Sequence, residues 1–257
     1  MKIHSLLILK ESGECIYRRI YSPQFKKMEV DLITPFFSAI FTFSKSVLSK
    51  ELEILEMGDL RFVFKKMKTY IFIIIADDTE NLLFLNSRLE KISKIFLKNL
   101  DYISLKDGEV IINEEFDNKI DPIIYGIDDV FFSKKGDESK KTDKIIEFFK
   151  ELIKQNEIIG ASLISMEGNL LYSSLSEKTL LRVMREIEIR FTSGTLDVPE
   201  TFCTFSSGNK ICERIIDFGD VKSNLLLIIE FDKKTTLGMA EWISDEISAK
   251  LIKELSH

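Results

Sequence analysis

The sequence predicts an α/β protein of the α+β sandwich type, with two domains that are each built on a five-stranded, mostly antiparallel sheet flanked by helices. The main observation is a hairpin pattern that occurs twice, at 6–17 and again at 161–172. Both copies contain an apolar run, a polar turn with one glycine, a second apolar run and a tyrosine at the same offset, which is typical of a β-hairpin. The second observation is that each hairpin is followed by a helix, three strands and a helix, as judged from the hydrophobic period.

The first half of the chain is predicted to have the element order ββαβββα. The last of its strands is apolar at nearly every position, which predicts a central strand covered on both faces. Pro122 lies within a further helical pattern, which it is expected to break or bend. The predicted elements are strands at 3–10 and 14–21, a helix at 30–48, strands at 51–57, 60–67 and 69–76, a helix at 82–100 capped by Asp78 or Thr79, and a helical piece with Phe116, Ile120, Ile123 and Ile124.

The second half is predicted to have the order αββαβββα. A polar segment without apolar residues precedes it and predicts a linker. We therefore expect a first domain at 1–130, a linker at 131–141 and a second domain at 142–257. The predicted elements are a helix that starts at Thr142 or Asp143, strands at 158–165 and 169–174, a helix at 177–193 between the cap Ser176 and Gly194, strands at 198–205, 210–217 and 223–230, and a helix at 235–255.

The cysteines leave one alternative open. If Ser207 and Gly208 form a two-residue hairpin loop, Cys203 and Cys212 face each other across two strands and are close enough for a disulfide. A shift of one residue in the loop separates them. The odd number of three cysteines is typical of reduced thiols in a reducing compartment.

The composition excludes several classes of partner and location. The formal net charge is −6 and the pI is about 5.3, which does not favour nucleic acid, because nucleic-acid binders cluster Lys and Arg against phosphates. The longest purely apolar run, at 71–76, is far shorter than the roughly 20 residues that span a bilayer. We therefore expect a cytoplasmic protein without a transmembrane segment and without nucleic acid as a partner.

No arrangement of residues in the sequence supports catalysis or cofactor binding. The two histidines, His4 and His257, have no cysteine or carboxylate partner at catalytic spacing, so a hydrolase triad is not expected. The segment 206–210 matches only the end of a phosphate-binding loop and lies between predicted strands, which favours a hairpin turn. We therefore expect no enzymatic activity, no cofactor, and no catalytic, cofactor-binding or metal-binding residues.

Two parts of the chain resemble known families. The segments IGASLIS at 159–165 and GNLLYS at 168–173, with the helix before them and the elements after them, resemble the roadblock (dynein light chain) family. The first hairpin and the segment DLITPFFSAIFTF at 31–43 resemble a longin domain. Chains that combine the two resemble archaeal proteins. Neither family has a fixed catalytic motif to carry over.

The resemblance implies a non-catalytic role. Longin and roadblock domains serve as dimerisation platforms in scaffolds and regulators of Ras-like small GTPases, including trafficking adaptors. In both families the helix after the hairpin and the neighbouring edge strand mediate pairing, and here those helices are 30–48 and 177–193. The implied partners are a small GTPase or other longin or roadblock subunits, and a homodimer is among the expected assemblies.

The helix at 30–48 has two apolar stripes, although a helix that covers one sheet needs only one. Phe36, Ile40, Phe43 and Val47 are predicted to face the sheet. The second stripe, which predicts an interface, consists of Phe37, Phe41 and Leu48. The alternative is that the segment 101–133 covers this second stripe within the monomer.

The helix at 177–193 also carries surplus apolar residues. Leu181 and Met184 lie beside the inner stripe of Leu180, Val183 and Ile187, which favours an interface. Arg185, on the same helix, is included in this predicted interface. Trp242, off the inner stripe of the last helix, is predicted to be partly buried at the edge of its domain.

Two functions remain open from the sequence. The first is an interaction platform that dimerises and binds or regulates a Ras-like small GTPase or a trafficking scaffold. The alternative is a small-molecule sensor with PAS- or GAF-like domains, which requires a real cavity with a few converging polar groups. A pocket between sheet and helix favours the sensor, and a solidly packed core favours the platform.

Overall fold

The computed structural model describes residues 2–25, 30–49, 51–99, 114–125, 137–195, 200–218 and 224–255. The chain divides into two compact units, Met1–Tyr125 and Gly126–His257. Each unit contains one five-stranded antiparallel sheet, so the predicted fold class is confirmed. Within the described residues, none of the helices combines the length and the apolar character needed to cross a membrane.

In the first unit the hairpin forms one side of the sheet. β1 (Ile3–Lys10) lies between β2 (Cys15–Ile20) and β5 (Tyr70–Asp77), and the sheet continues through β4 (Leu60–Met67) to β3 (Ile54–Met57). All neighbouring strands are antiparallel. β5 is buried from Ile71 to Ala76, which confirms the prediction of a central strand covered on both faces.

Three helices cover this sheet. α1 (Val30–Phe43) continues into one wider π-helical turn, Ser44–Leu48, and packs on one face. α2 (Leu82–Asn99) and α3 (Glu114–Tyr125) pack together. The Phe96 ring of α2 contacts both Phe72 of β5 and Phe116 of α3. The four apolar residues predicted for α3 are buried, and Pro122 lies inside the helix.

The N-terminal cap of α2 differs from the prediction. The Asn81 side chain accepts a hydrogen bond from the Leu83 N–H at 3.0 Å, so the cap is Asn81, and not Asp78 or Thr79. The reason is that β5 extends to Asp77, and the intervening residues are needed to turn the chain, since the Glu80 N–H donates to the Asp77 carbonyl at 3.1 Å.

A polar network joins α3 to the hairpin strand β2. The guanidinium of Arg19 contacts Asp121 through Nε at 3.2 Å and Nη2 at 2.6 Å, and contacts Asp117 through Nη1 at 2.6 Å. The Tyr17 hydroxyl donates to Asp117 at 2.5 Å, and the Tyr21 hydroxyl donates to Asp121 at 3.1 Å. Burial, together with these carboxylates, raises the pKa of both tyrosines, so both hydroxyls remain donors.

We expect Arg19→Ala to lower the free energy of unfolding of the first unit by about 1–3 kcal/mol. The reason is that the partly buried carboxylates of Asp117 and Asp121 lose charge-assisted hydrogen bonds. Urea unfolding measures the change. The matched control is Lys119→Ala, which removes an exposed pair with Glu115 on the same helix and should change stability by less than about 0.5 kcal/mol. Equal effects of the two substitutions would contradict this account of how α3 is held.

The second unit repeats the topology of the first. Its sheet has the order β7-β6-β10-β9-β8, the same arrangement as β2-β1-β5-β4-β3. The duplicated hairpin therefore belongs to a duplicated fold. The strands are β6 (Gly160–Ser165), β7 (Leu170–Ser173), β8 (Glu200–Thr204), β9 (Lys210–Ile216) and β10 (Leu225–Phe231), and the helices are α4 (Asp137–Lys154), α5 (Glu177–Thr192) and α6 (Leu237–Leu255).

The helices of the second unit are also divided between the two faces. α4 and α6 share one core with the inner residues of β6 and β10. α5 lies on the other face, where Val183 and Ile187 are its buried residues. The Ser176 hydroxyl accepts from the Thr179 N–H at 3.1 Å, and Gly194 has a positive φ of 69° after the helix, so both predicted ends of α5 are confirmed.

Two predictions for this unit need correction. α4 begins at Asp137, inside the predicted linker 131–141, of which residues 131–136 lie outside the described part. The segment 133–141 has no apolar residue, which indicated an exposed stretch, and a helix tolerates Lys, Glu and Ser. Cys203 is paired with Ile211, and Cys212 with Phe202. Because the pairing is shifted by one residue from the register that the disulfide required, the two thiols lie on opposite faces of the sheet and are free.

The tyrosines of the repeated hairpins have the same role in both units. Tyr17 packs edge-on against Phe116 of α3, with ring centroids 4.9 Å apart. Tyr172 stacks on Phe149 of α4, with ring centroids 5.0 Å apart. Each hairpin is therefore covered by a helix that lies outside the repeated element order, after the sheet in the first unit and before it in the second.

Candidate interaction surfaces

The two stripes of α1 are placed the opposite way from the prediction. Phe37 is 2% exposed and Phe41 is 6% exposed, so both belong to the core and not to an interface. The Phe37 ring contacts Phe62 and Phe64, with centroids 5.3 and 5.4 Å away. The covering element is the sheet itself, which is the physical reason that Phe37 and Phe41 cannot serve as a contact surface. The side chain of Leu48, the third residue of the predicted stripe, lies outside the described residues.

The opposite side of α1 is an exposed apolar surface. Of the stripe predicted to face the sheet, Phe36, Phe43 and Val47 are 42%, 58% and 61% exposed, whereas Ile40 is half-buried. Ala39 lies exposed between them. The sequence contains no charged residue between Asp31 and Lys45. We call Phe36, Ala39, Phe43 and Val47 the outer face of α1. An apolar helix side of this kind indicates burial against a further element.

A second exposed ridge lies on α5. Leu181 and Ile189 are 64% and 60% exposed, and Arg185 lies exposed between them. These residues follow the i, i+4, i+8 spacing of one helix ridge, and we call them the outer face of α5. Met184 is half-buried beside it. The sequence reasoning missed Ile189, although the four-residue spacing from Leu181 was a signal that could have found it.

Polar contacts hold α5 on the sheet. Arg190 Nη1 donates to the buried carboxylate of Glu213 on β9 at 2.8 Å. Arg182 bonds Glu186 at 3.3 Å and lies over the Phe205 ring, 4.0 Å from its centroid. The Arg182–Glu186 bond lies within α5. The contacts of Arg190 with Glu213 and of Arg182 with Phe205 fix the rotation of the helix about its axis, and therefore which residues form its outer face.

One group of side chains below α5 has the composition of a metal site. Glu186, Cys203 and Glu213 each place a ligand atom within 4.8 Å of the others. Burial raises the pKa of Cys203 to about 12, so the thiol is protonated at neutral pH. Burial also raises the pKa of Glu213 to about 7, against the opposing effect of Arg190. We interpret the group as an internal contact that holds α5 on the sheet.

The sheet edge beside α5 is also available for contact. β8 is the terminal strand of its sheet, so one side of its backbone has no strand partner among the described residues. Its Cys203 Sγ lies 3.7 Å from the Glu186 carboxylate of α5, which places this edge next to the helix. An edge strand with free backbone groups is a template for pairing with another chain.

A groove of about 510 Å³ lies along the C-terminal half of α1. Its apolar side chains are Phe41 and Ile71, and the remaining residues are polar or charged. The groove is open to solvent, which suits a contact surface as well as a small ligand, so it does not favour the sensory alternative. The lining residues are Glu11, Ser38, Phe41, Thr42, Lys45, Ser46 and Ile71.

Comparison with known proteins supports the prediction that the first unit resembles a longin domain. The family described as "First Longin domain of FUZ, MON1 and HPS1" matches residues 4–106, which contain the first hairpin, α1 and the remaining strands of the first sheet. The first unit has a longin-like fold. The match covers less than half of the chain and does not reach the second unit.

The other comparisons are weaker. No curated protein matches the chain. MglB of Myxococcus xanthus is similar at 16% identity over 48% of this chain and 92% of that chain, with a TM-score of 0.35. A structure described as "Homology model of the full-length AP-3 complex in a stretched open conformation" is similar at 15% identity over 60% of this chain and 98% of that chain, with a TM-score of 0.31. At these TM-scores neither likeness bears on the function of this chain.

Proposed function

We propose that this chain is a non-catalytic interaction platform that dimerises and binds or regulates a Ras-like small GTPase or a trafficking scaffold. The observation that carries the proposal is the apolar outer face of α1, on the longin-like unit, with the comparable ridge on α5. Each helix lies on one face of its sheet and presents large apolar side chains to solvent. Such surfaces are typical of sites that become buried in an assembly.

The proposal treats the second unit as a roadblock-like domain. The support is its hairpin, its element order and the topology it shares with the longin-like unit. In this proposal α5 and the neighbouring edge strand β8 form its pairing surface, and α1 forms the corresponding surface of the first unit. The partners are a small GTPase, other longin or roadblock subunits, or a second copy of the chain.

We expect Phe36→Asp with Phe43→Asp, and separately Leu181→Asp with Ile189→Asp, to abolish self-association or partner binding without unfolding the protein. Each pair places two charges where an apolar contact would form, while the buried sides of both helices stay unchanged. Light scattering on a sizing column measures the mass, and far-UV circular dichroism verifies the fold. The matched control is Ile252→Asp on α6, which is 40% exposed and should have no effect.

Regulation requires a separate measurement. GTP hydrolysis and nucleotide release by candidate Ras-like GTPases are followed with and without the protein, and with the two double variants. We expect a changed rate or a stable complex that depends on an outer face. Flat rates, no complex on the sizing column and an unchanged mass in both double variants would together contradict the proposed platform.

A further inference from the structure

An exposed patch of apolar and basic side chains lies at the start of α6. Leu237, Met239 and Trp242 are 54%, 52% and 55% exposed. The turn before the helix carries the exposed Lys233 and Lys234. Lys210 at the start of β9 reaches the same turn, because its Nζ donates to the Lys233 carbonyl at 3.0 Å. We call these six residues the α6 patch.

The turn itself is held by its own polar groups. The Asp232 carboxylate accepts the Lys234 N–H at 2.9 Å, and the Thr236 hydroxyl accepts the Met239 N–H at 3.3 Å. None of the three lysines forms an ion pair with another described residue. Within 232–243 the sequence has two acidic residues, Asp232 and Glu241, so with Lys210 these residues carry a net charge of +1 in a chain of net charge −6. Asp245, which pairs with Arg214, and Glu246 follow on the next turn of α6.

The first unit provides an internal comparison for this patch. The turn at the same topological position, between β5 and α2, carries Asp77, Asp78 and Glu80 and no basic residue. The helix that follows it begins with Leu82, Leu83 and Phe84, which are 5%, 5% and 8% exposed. Basic side chains reach this turn too, since Arg61 of β4 donates to the Glu80 carbonyl at 2.6 Å. Lysines within the turn itself and exposed apolar residues at the start of the helix are particular to the second unit.

We propose that the α6 patch is a peripheral membrane-binding site that recognises anionic lipid headgroups. Trp242, Met239 and Leu237 supply amphipathic and apolar side chains that bury at the level of the headgroups, where tryptophan is enriched. The lysines supply the attraction for the negative surface, and their aliphatic stems extend along it. The N-terminus of α6 adds partial positive charge at the same end of the helix.

The chain carries its own probe for this proposal, because Trp242 is its only tryptophan. The full chain is mixed with vesicles of phosphatidylcholine alone, or of phosphatidylcholine with phosphatidylserine. We expect a blue shift of the Trp242 emission with the anionic vesicles, quenching by brominated lipids, and weakening at high salt. An emission that does not change with anionic vesicles, or a shift without bromolipid quenching, overturns the proposal.

Two double variants test the residues and retain the probe. Lys233→Glu with Lys234→Glu, and Leu237→Ser with Met239→Ser, are each expected to weaken vesicle binding by roughly tenfold or more. The control Leu170→Ser removes an apolar side chain of similar exposure, 53%, from β7 and should bind like the wild type. Wild-type binding by both double variants would exclude the patch.

The test also separates a protein partner from a lipid surface. A blue shift that grows with protein concentration in the absence of vesicles would show that a second copy covers Trp242, and would overturn the membrane site. Loss of GTPase binding in the outer-face variants, with vesicle binding intact, would leave the membrane site standing. The two proposals therefore fail independently.

Discussion

Replacing Phe37 by alanine is expected to lower the free energy of unfolding of the first unit by about 3–5 kcal/mol, whereas the same change at Phe36 should lower it by less than about 1 kcal/mol. Phe37 is 2% exposed and lies between the rings of Phe62 and Phe64. Its removal leaves a cavity that the central strands cannot fill. Phe36 is 42% exposed, so a large part of its surface is in contact with water in the folded state as well as in the unfolded state.

The two substitutions form a matched pair, because residue type, helix and change are the same. Urea unfolding of the full chain is followed by far-UV circular dichroism. Trp242, the only tryptophan, lies in the second unit, so its fluorescence follows the unfolding of that unit. Equal destabilisation by the two changes would mean that α1 is rotated about its axis relative to the sheet.

The second large effect concerns the buried carboxylate of Glu213. Burial raises its pKa from 4.5 to about 7, although Arg190 acts in the opposite direction. Because the folded pKa lies above the unfolded value, the folded state binds the proton more tightly. The associated stability is present below about pH 4.5 and is lost as the pH rises to about 7, by roughly 3 kcal/mol at most.

Glu213→Gln removes this titration and keeps the size of the side chain. We therefore expect the stability of the variant relative to the wild type to increase from pH 4.5 to 7 and to stay constant above that. Unfolding by urea at several pH values measures the difference, in which the titrations common to both proteins cancel. Arg190→Met should shift the pH window upwards, since the guanidinium holds the pKa down. Parallel stability curves for wild type and Glu213→Gln would refute the assignment.

The sequence was sufficient to predict the topology of both sheets, but it was insufficient to predict which side of α1 faces the sheet. The repeated hairpins and the apolar central strands predicted both sheets, because strand period and turn chemistry are local properties. α1 is apolar on two sides, so periodicity alone could not choose between Phe36 and Phe37. The choice depends on the rings of β4, which lie far away in the sequence.

Long-range polar contacts and small shifts of strand register could also not be predicted from the sequence. The bonds from Arg19 to Asp117 and Asp121 join residues about a hundred positions apart, and nothing in the local pattern marks them. The separation of Cys203 and Cys212 depends on the length of one turn. The ridge on α5 was partly predictable, since Leu181 and Arg185 were identified and Ile189 continues their spacing.

The covering helices α3 and α4 determine where the chain can be divided. A fragment that ends before residue 114 would leave the Tyr17 ring without cover and would remove Asp117, a partner of Arg19. A fragment that starts after residue 154 would lack Phe149, whose ring stacks on Tyr172. The covering helix follows the sheet in the first unit and precedes it in the second. A truncation placed by aligning one repeat on the other would therefore remove part of a core.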